Sequence, residues 1–403
     1  MTALKRIGWR ALAVGLVAIV FAILAARDAL AFAMQGASPE IALRMDPGNP
    51  VALTRSAEVR LAAGDEAMDS AQVDRIARAS IRRLPLNAEA FRLFGLAASA
   101  DADLELLSER MALAGQLSRR DLSTQLFLIE DAVRRNNIAD ALESYDTALR
   151  SEESSRNVLY PVLTEAMREP LIRRKFLPYI RSTPPWLESF LRYAVSNSTT
   201  PAAMADLALE AGGFPQGDEF SSLHTELLSV LAENGEYLKA IRYYRSLKDA
   251  DQKSLLDLAM SDGSTNGAYA PISWQPYAVE GIDAVWVSEG RNRVSLDVSL
   301  DAGFSGPIAR KVLALQPGTY VVNAPFESDS HEIDEALIWR ISCQNGTKRL
   351  DTEADLSGKG SLRGQFTVPA GCPVQMVDIS VRTRPGMGSI KLLLGSPGLE
   401  RRN

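Results

Sequence analysis

Three patterns of apolar and polar positions follow one another along the chain. The first is an uncharged run, Ala11 to Ala26, preceded by Lys5, Arg6 and Arg10 and closed by Arg27 and Asp28. The second, from about residue 38 to 255, repeats apolar residues at three- and four-residue spacing with few β-branched runs, the signature of amphipathic helices. The third begins beyond residue 290 and alternates strictly. Val294, Leu296, Val298 and Leu300 share one face, with Ser295, Asp297 and Ser299 on the other. Leu337, Trp339, Ile341 and Cys343 repeat the alternation, as do Leu362, Gly364, Phe366 and Val368, then Val377, Ile379 and Val381, then Ile390, Leu392 and Leu394. A period of two marks strands with one buried face.

The first run has 16 residues, between the length of a signal-peptide core and that of a membrane span. Basic residues on its near flank hold that end in the cytoplasm and send the rest across the membrane. Two fates stay open. The tripeptides Ala29-Leu30-Ala31 and Ala31-Phe32-Ala33 have the small-x-small form of a signal-peptidase site. Extension of the apolar stretch through Trp9 and through Ala29 to Met34 favours an uncleaved anchor over residues 11–34.

The helical segment is self-similar. Phe91, Phe94, Gly95, Ala98, Leu107, Met111 and Ala114 recur 34 residues later as Gln125, Leu128, Ile129, Ala132, Ala141, Tyr145 and Ala148. Small residues at Gly95, Ala98, Ala132, Ala141 and Ala148 permit close helix approach, and Phe91, Met111 and Tyr145 fill the space between helices. Asp46-Pro47-Gly48-Asn49-Pro50 and Leu84-Pro85-Leu86-Asn87 read as turns between repeats, because proline cannot continue a helix. Their spacing calls for a four-residue insertion around Gly64 to Ser70. Leu227, Leu228, Leu231, Gly235, Tyr237, Ala240 and Tyr244 form a further match. This pattern resembles the tetratricopeptide repeat family. Gln125 and His224 replace the family's usual aromatic, and the consensus disappears between Arg156 and Pro215. The resemblance implies an α-solenoid of three to five helical hairpins over residues 38–258, without intrinsic catalysis, that docks a protein partner.

A polar, glycine-bearing stretch, Ser261 to Gly267, predicts a linker over 259–269. After it, residues 270–398 predict seven or eight antiparallel strands in a β-sandwich, followed by a short tail at 399–403. Leu315-Gln316-Pro317-Gly318 and Val368-Pro369-Ala370-Gly371 are turns within it. In layout alone this part is similar to galactose-binding-like and carbohydrate-binding-module jelly rolls. Aromatic faces that could stack on a sugar are Trp274, Tyr277, Trp286 and Phe326, which also suit core packing. The fold class is therefore multidomain, α then β, behind a basic stub at residues 1–10 and a transmembrane helix.

Charge and chemistry narrow the function. A net charge of -6 excludes a phosphate-binding nucleic-acid surface. The two cysteines, Cys343 and Cys372, pair into a disulfide if the chain is exported, or pack as two buried thiols if it is not. His224 and His331 have no partners at metal-ligand spacing, and no P-loop, dinucleotide or Gly-x-Ser-x-Gly motif occurs. Asp351-x-Glu353-x-Asp355 opens like a calcium loop but has Leu356 and Leu362 at the positions needing Gly and Glu. Asp329, Glu332, Asp334 and Glu335 are an acidic cluster in which a carboxylate pair could hide. The expectation is a non-enzymatic chain without cofactor in a bacterial inner membrane, its bulk periplasmic. A protein partner on the repeats comes first and a glycan on the sandwich second, with polysaccharide assembly or export as the setting by analogy.

Overall fold

A computed structural model describes residues 9–402 apart from 66–67, 100–102, 198, 216, 249, 261–268, 278, 289–293, 329–336, 344–348, 351–352, 356–359 and 383–387. Helices come first and strands second, as the two hydrophobic periods require. The long apolar helix α1 (Trp9–Met34) is followed by α2 (Pro39–Met45), α3 (Pro50–Ala62), α4 (Ser70–Arg83), α5 (Ala88–Ser99), α6 (Leu104–Leu117), α7 (Leu122–Arg134) and α8 (Ile138–Ser151). Then come α9 (Arg156–Ala166), α10 (Pro170–Ser182), α11 (Leu187–Asn197), α12 (Pro201–Ala211), α13 (Ser221–Glu233) and α14 (Tyr237–Ser246).

From α3 onward the helices come in pairs. The first members α3, α5, α7, α9, α11 and α13 begin at residues 50, 88, 122, 156, 187 and 221, intervals of 38, 34, 34, 31 and 34. The wide first interval reflects the seven-residue connection at 63–69, against three residues at 135–137 between α7 and α8. Among the described residues six such pairs are present. The sequence pattern gave three to five repeats, because residues 156–215 keep the helices while losing the consensus side chains.

Capping explains the boundaries. Asn49, Asp69, Asp103 and Asn137 each accept a hydrogen bond from a backbone N–H three residues ahead, satisfying a first-turn donor. Asn87 anchors the turn before α5 by donating to Ser80 Oγ at 2.9 Å, and Ser80 donates to Pro50 O at 3.0 Å. Close approach is real at Gly95, where an added Cβ would meet Met111 Cγ at 3.2 Å. Ala98, Met111, Ala132, Ala141, Tyr145, Ala148, Ala240 and Tyr244 are buried, and Phe91 is half-buried. Gly235 plays a different part. It is exposed, with φ +78°, in the turn that ends α13.

The described strands are β1 (Gln275–Pro276), β2 (Ile282–Ser288), β3 (Val294–Leu300), β4 (Ser305–Leu313), β5 (Gly318–Ser328) and β6 (Leu337–Cys343). They continue as β7 (Arg349–Leu350), β8 (Glu353–Asp355), β9 (Ser361–Val368), β10 (Gln375–Arg382), β11 (Ile390–Gly395) and β12 (Gly398–Arg402). One sheet runs β1-β4-β10-β6-β7 and the other β2-β3-β11-β5-β9-β8, with β12 added to β5, all pairings antiparallel. The inward residues of both sheets form one core that includes Leu296, Val298, Trp339, Ile341, Phe366, Val377 and Leu392. Gly371, at φ +88°, occupies the turn whose Cys372 N–H bonds Pro369 O, a position that favours glycine. Cys343 and Cys372 form a disulfide.

By contact, the chain divides into two compact units, Met1–Leu159 and Tyr160–Asn403. The second therefore contains α10 to α14 together with the sandwich. A seam made by residues 255–277 holds these together. Leu255 O accepts from Ala314 N at 2.8 Å, Pro271 O from Val312 N at 2.7 Å, and Ile308 O from Tyr277 N at 2.8 Å. Trp274 Nε1 donates to Leu258 O at 2.8 Å, and Ser229 Oγ of α13 donates to Ala270 O at 3.3 Å. Under this seam Lys311 of β4 is 1% exposed, its Nζ donating to Ile272 O at 2.8 Å.

Burial pulls the Lys311 pKa down from 10.5 to about 8, against the opposing pull of Asp257 and Asp251. Between those values the unfolded chain holds the extra proton, so stability rises with pH from about 8. Tyrosines held protonated by burial, such as Tyr145 with a pKa pushed up to about 12, reverse the trend above pH about 10. The thermal midpoint of the wild type should climb between pH 8 and 9.5, and Lys311→Met should abolish the climb; a flat wild-type profile would count against a buried amine. Reducing the disulfide, which spans 29 residues, should cost about 3 kcal/mol in a denaturant titration, since the open chain regains loop entropy.

Candidate binding surfaces

The first helix of each pair carries charged side chains that meet across neighbouring pairs. In the first unit Arg92 of α5 bonds Glu58 of α3 at 2.5 Å and Asp121, before α7, at 2.7 Å. Arg55 adds contacts to Glu58 and Glu89, and Thr54 Oγ1 donates to Glu89 at 3.1 Å. The side chains of Arg92, Glu58 and Asp121 are only 11, 16 and 13% exposed. Burial raises the Glu58 pKa, with Arg92 pulling the other way.

The second unit repeats the arrangement with other residues. Glu188 and Arg192 pair within α11, and Arg192 reaches Ser222 of α13 at 3.1 Å and Glu226 at 4.0 Å. Ser196 bonds Glu226, and Thr199 Oγ1 donates to Glu165 of α9 at 3.4 Å. The second helices are linked too. Buried Arg173 of α10 bonds Glu210 of α12 at 3.0 Å and nears Asp206 at 3.9 Å, and Lys239 of α14 bonds Asp206 at 2.8 Å. Glu58 to Arg92 and Arg192 to Glu226 are each separated by 34 residues. Opposite charge at the repeat interval was a signal in the sequence that a search for apolar matches passes over.

His224, in the family's aromatic position, is an aromatic packer here. It lies among Phe214, Tyr243 and Tyr269 with ring centroids 5.9 to 6.5 Å away, and its Nδ1 shares a 2.7 Å hydrogen bond with Tyr243 Oη. Burial lowers its pKa, so the ring favours the neutral form.

In the sandwich, the four aromatic candidates separate. Trp274 is 3% exposed and packs edge-on against Trp339 at 5.8 Å, and Phe326 is 5% exposed in the core. Neither ring face is open to a sugar. Trp286 is half-buried against the core from the edge strand β2. Tyr277 is half-buried on the outer side of β4, where Arg310 Cζ lies 5.6 Å from its ring centroid and Arg310 Nε bonds Asp378 at 2.8 Å. Tyr237 of α14 completes this cluster, since it and Tyr277 both feel the charges of Arg310 and Asp378. The acidic residues 329–335, His331, Asp351 and the linker residues 261–267 lie outside the described residues; Glu353 and Asp355 fall in β8.

These features define a class: paired helices joined through a seam to an antiparallel β-sandwich, behind an apolar N-terminal helix. No protein-family model matches the chain, and no curated protein matches it in sequence. Among solved structures it is similar to TmCBM61 in complex with beta-1,4-galactotriose, at 14% identity and a TM-score of 0.23, over 32% of this chain and 88% of that one. A likeness of that size says nothing of what this chain binds.

Replacing Arg92 with Ala should leave Glu58 and Asp121 facing each other partly buried, and should cost about 2 kcal/mol in urea denaturation. Arg55→Ala, an exposed neighbour, should cost under about 0.5 kcal/mol. Equal effects would show that Arg92 holds nothing together. Trp274→Ala should destabilise the sandwich by about 4 kcal/mol, so a loss of glycan binding in that variant would report unfolding.

Proposed function

We propose that the chain is a non-catalytic interaction scaffold, anchored in the inner membrane of a bacterium with its bulk in the periplasm, and acting in assembly or export of envelope polysaccharide. The observation that carries the reading is the succession of helix pairs whose first members present charged rows, with tetratricopeptide-like spacing. Rows of this kind are suited to an extended protein partner, because each pair adds a similar polar step along one direction.

The anchor is supported by α1. Its residues 13–34 have mean hydropathy 2.2 and are 6% buried, and at 1.5 Å per residue the 26-residue helix is about 39 Å long against a hydrocarbon core of about 30 Å. Both small-x-small sites lie within the helix, and Ala31 is 2% exposed. A protease that needs an extended substrate meets a folded one. The disulfide fits an oxidising compartment.

A second reading, a membrane-tethered carbohydrate-binding protein, rests on Tyr277 and Trp286, which keep part of their surface near the Arg310–Asp378 pair. Photo-cross-linking in cells separates the two. With the cross-linker at Arg192, Ser196 or Ser222, the scaffold reading expects one recurring protein adduct; with it at Glu400 of β12, none. Adducts confined to Glu400, or glycan captured at Tyr277 with no protein adduct on α11 and α13, would overturn it.

A further inference from the structure

A cavity of about 530 Å³ opens between α4, α5 and α6, lined by Ser70, Asp74, Arg75, Arg78, Asp103 and Arg110 among others. We propose that it binds a sugar acid, a hexuronic acid residue, with the guanidinium groups on its carboxylate and the acidic side chains on its hydroxyls. The site goes beyond the scaffold reading, and its ligand is taken by the helices, not by the sandwich.

The arginines are arranged to receive an anion. Arg110 Cζ lies 3.4 Å from the Phe94 ring centroid, and its Nη1 donates to Phe94 O at 2.6 Å. Arg78 Cζ lies 4.7 Å from the same ring and bonds Asp74 at 2.7 Å. An aromatic ring shared by two guanidinium groups fixes both planes. Among the described residues no carboxylate lies within ion-pair distance of Arg110 or Arg75. Each guanidinium carries five N–H donors, and these two spend one apiece on a backbone carbonyl, Phe94 O and Ala71 O.

Charge and polarity then select the ligand. Three arginines against Asp74 and Asp103 leave one net positive charge, which complements a single negative charge. A phosphate dianion would press its second charge on the two aspartates. A carboxylate has about four lone-pair sites; Asp74 spends one on Arg78, and Asp103 one on the Leu106 N–H at 3.0 Å. The remainder, with the Ser70 hydroxyl, suit a ligand rich in O–H donors. Ala71, Ala97, Ala98 and Leu106 supply an apolar patch for the C–H face of a sugar ring. The volume lies within the usual range of ligand pockets. An acidic peptide brings few hydroxyl donors and adds charge against both aspartates.

The test uses the full chain in detergent micelles at low salt, with saturation-transfer NMR against three probes: methyl β-glucuronoside, methyl β-glucoside and the monoanionic peptide acetyl-Ala-Glu-amide. Glucuronoside should bind at least about tenfold more tightly than glucoside, whose ring lacks the carboxylate, and than the peptide. Arg110→Gln and the exposed Arg75→Gln should each lose about tenfold for glucuronoside alone, with the melting temperature of Arg75→Gln unchanged. Equal binding of acid and neutral sugar, preference for the peptide, no saccharide binding, or full binding by both variants would overturn the proposal. None of these outcomes bears on the cross-linking pattern at α11 and α13, so the two readings fail separately.

Discussion

Everything from Tyr160 onward depends on the seam formed by residues 255–277. A sheet face left open beside a helix pair would expose backbone groups and apolar side chains on both. The seam answers with backbone bonds from Leu255, Pro271 and Ile308 and with the Trp274 indole on Leu258 O. Its energetic weak point is Lys311, whose ammonium is desolvated and satisfied by the Ile272 carbonyl. A buried cation is tolerated only when its protons are hydrogen-bonded. The same seam continues into the helices through Ser229 and through Tyr269, which packs against His224 and Tyr244. The last helix pair and the sandwich are thereby one body.

The helices use electrostatics in a complementary way. Apolar and small residues such as Gly95, Met111 and Ala148 set how closely helices approach, while Glu58, Arg92 and Asp121, or Arg173, Asp206 and Lys239, link one pair to another. Such half-buried pairs contribute little net energy but penalise misregistered neighbours, since a slipped pair leaves a charge without its partner. Rows built like this can afford degenerate apolar consensus, which is what residues 156–215 display.

Much of this was legible in the chain, and the failures have physical causes. Strand β6, Leu337–Cys343, and strand β11, starting at Ile390, stand where alternation placed them, because each has one covered and one open face. Strand β4 escaped, since the seam covers part of its second face, and Ile308, Ala309, Lys311, Val312 and Leu313 are all buried. Strand β2 escaped because an edge strand needs little alternation. The 34-residue interval showed the helix pairs, but matching apolar residues hid the charge pairs that span the same interval. Trp274 and Phe326 looked like sugar platforms by residue type, and only burial shows that their faces are taken. The pocket at Arg110 needs α4 and α6 side by side, which no local window contains.

The most direct test of this account is hydrogen exchange of the full chain in detergent, followed by mass spectrometry. The account predicts that peptides from α13, α14, the described seam residues and β4 share one protection level and lose it together as denaturant rises, because a single packed seam binds them. Loss of protection in α13 and α14 while β4 stays fully protected would show the helices and the sandwich to be independent bodies, and would contradict it.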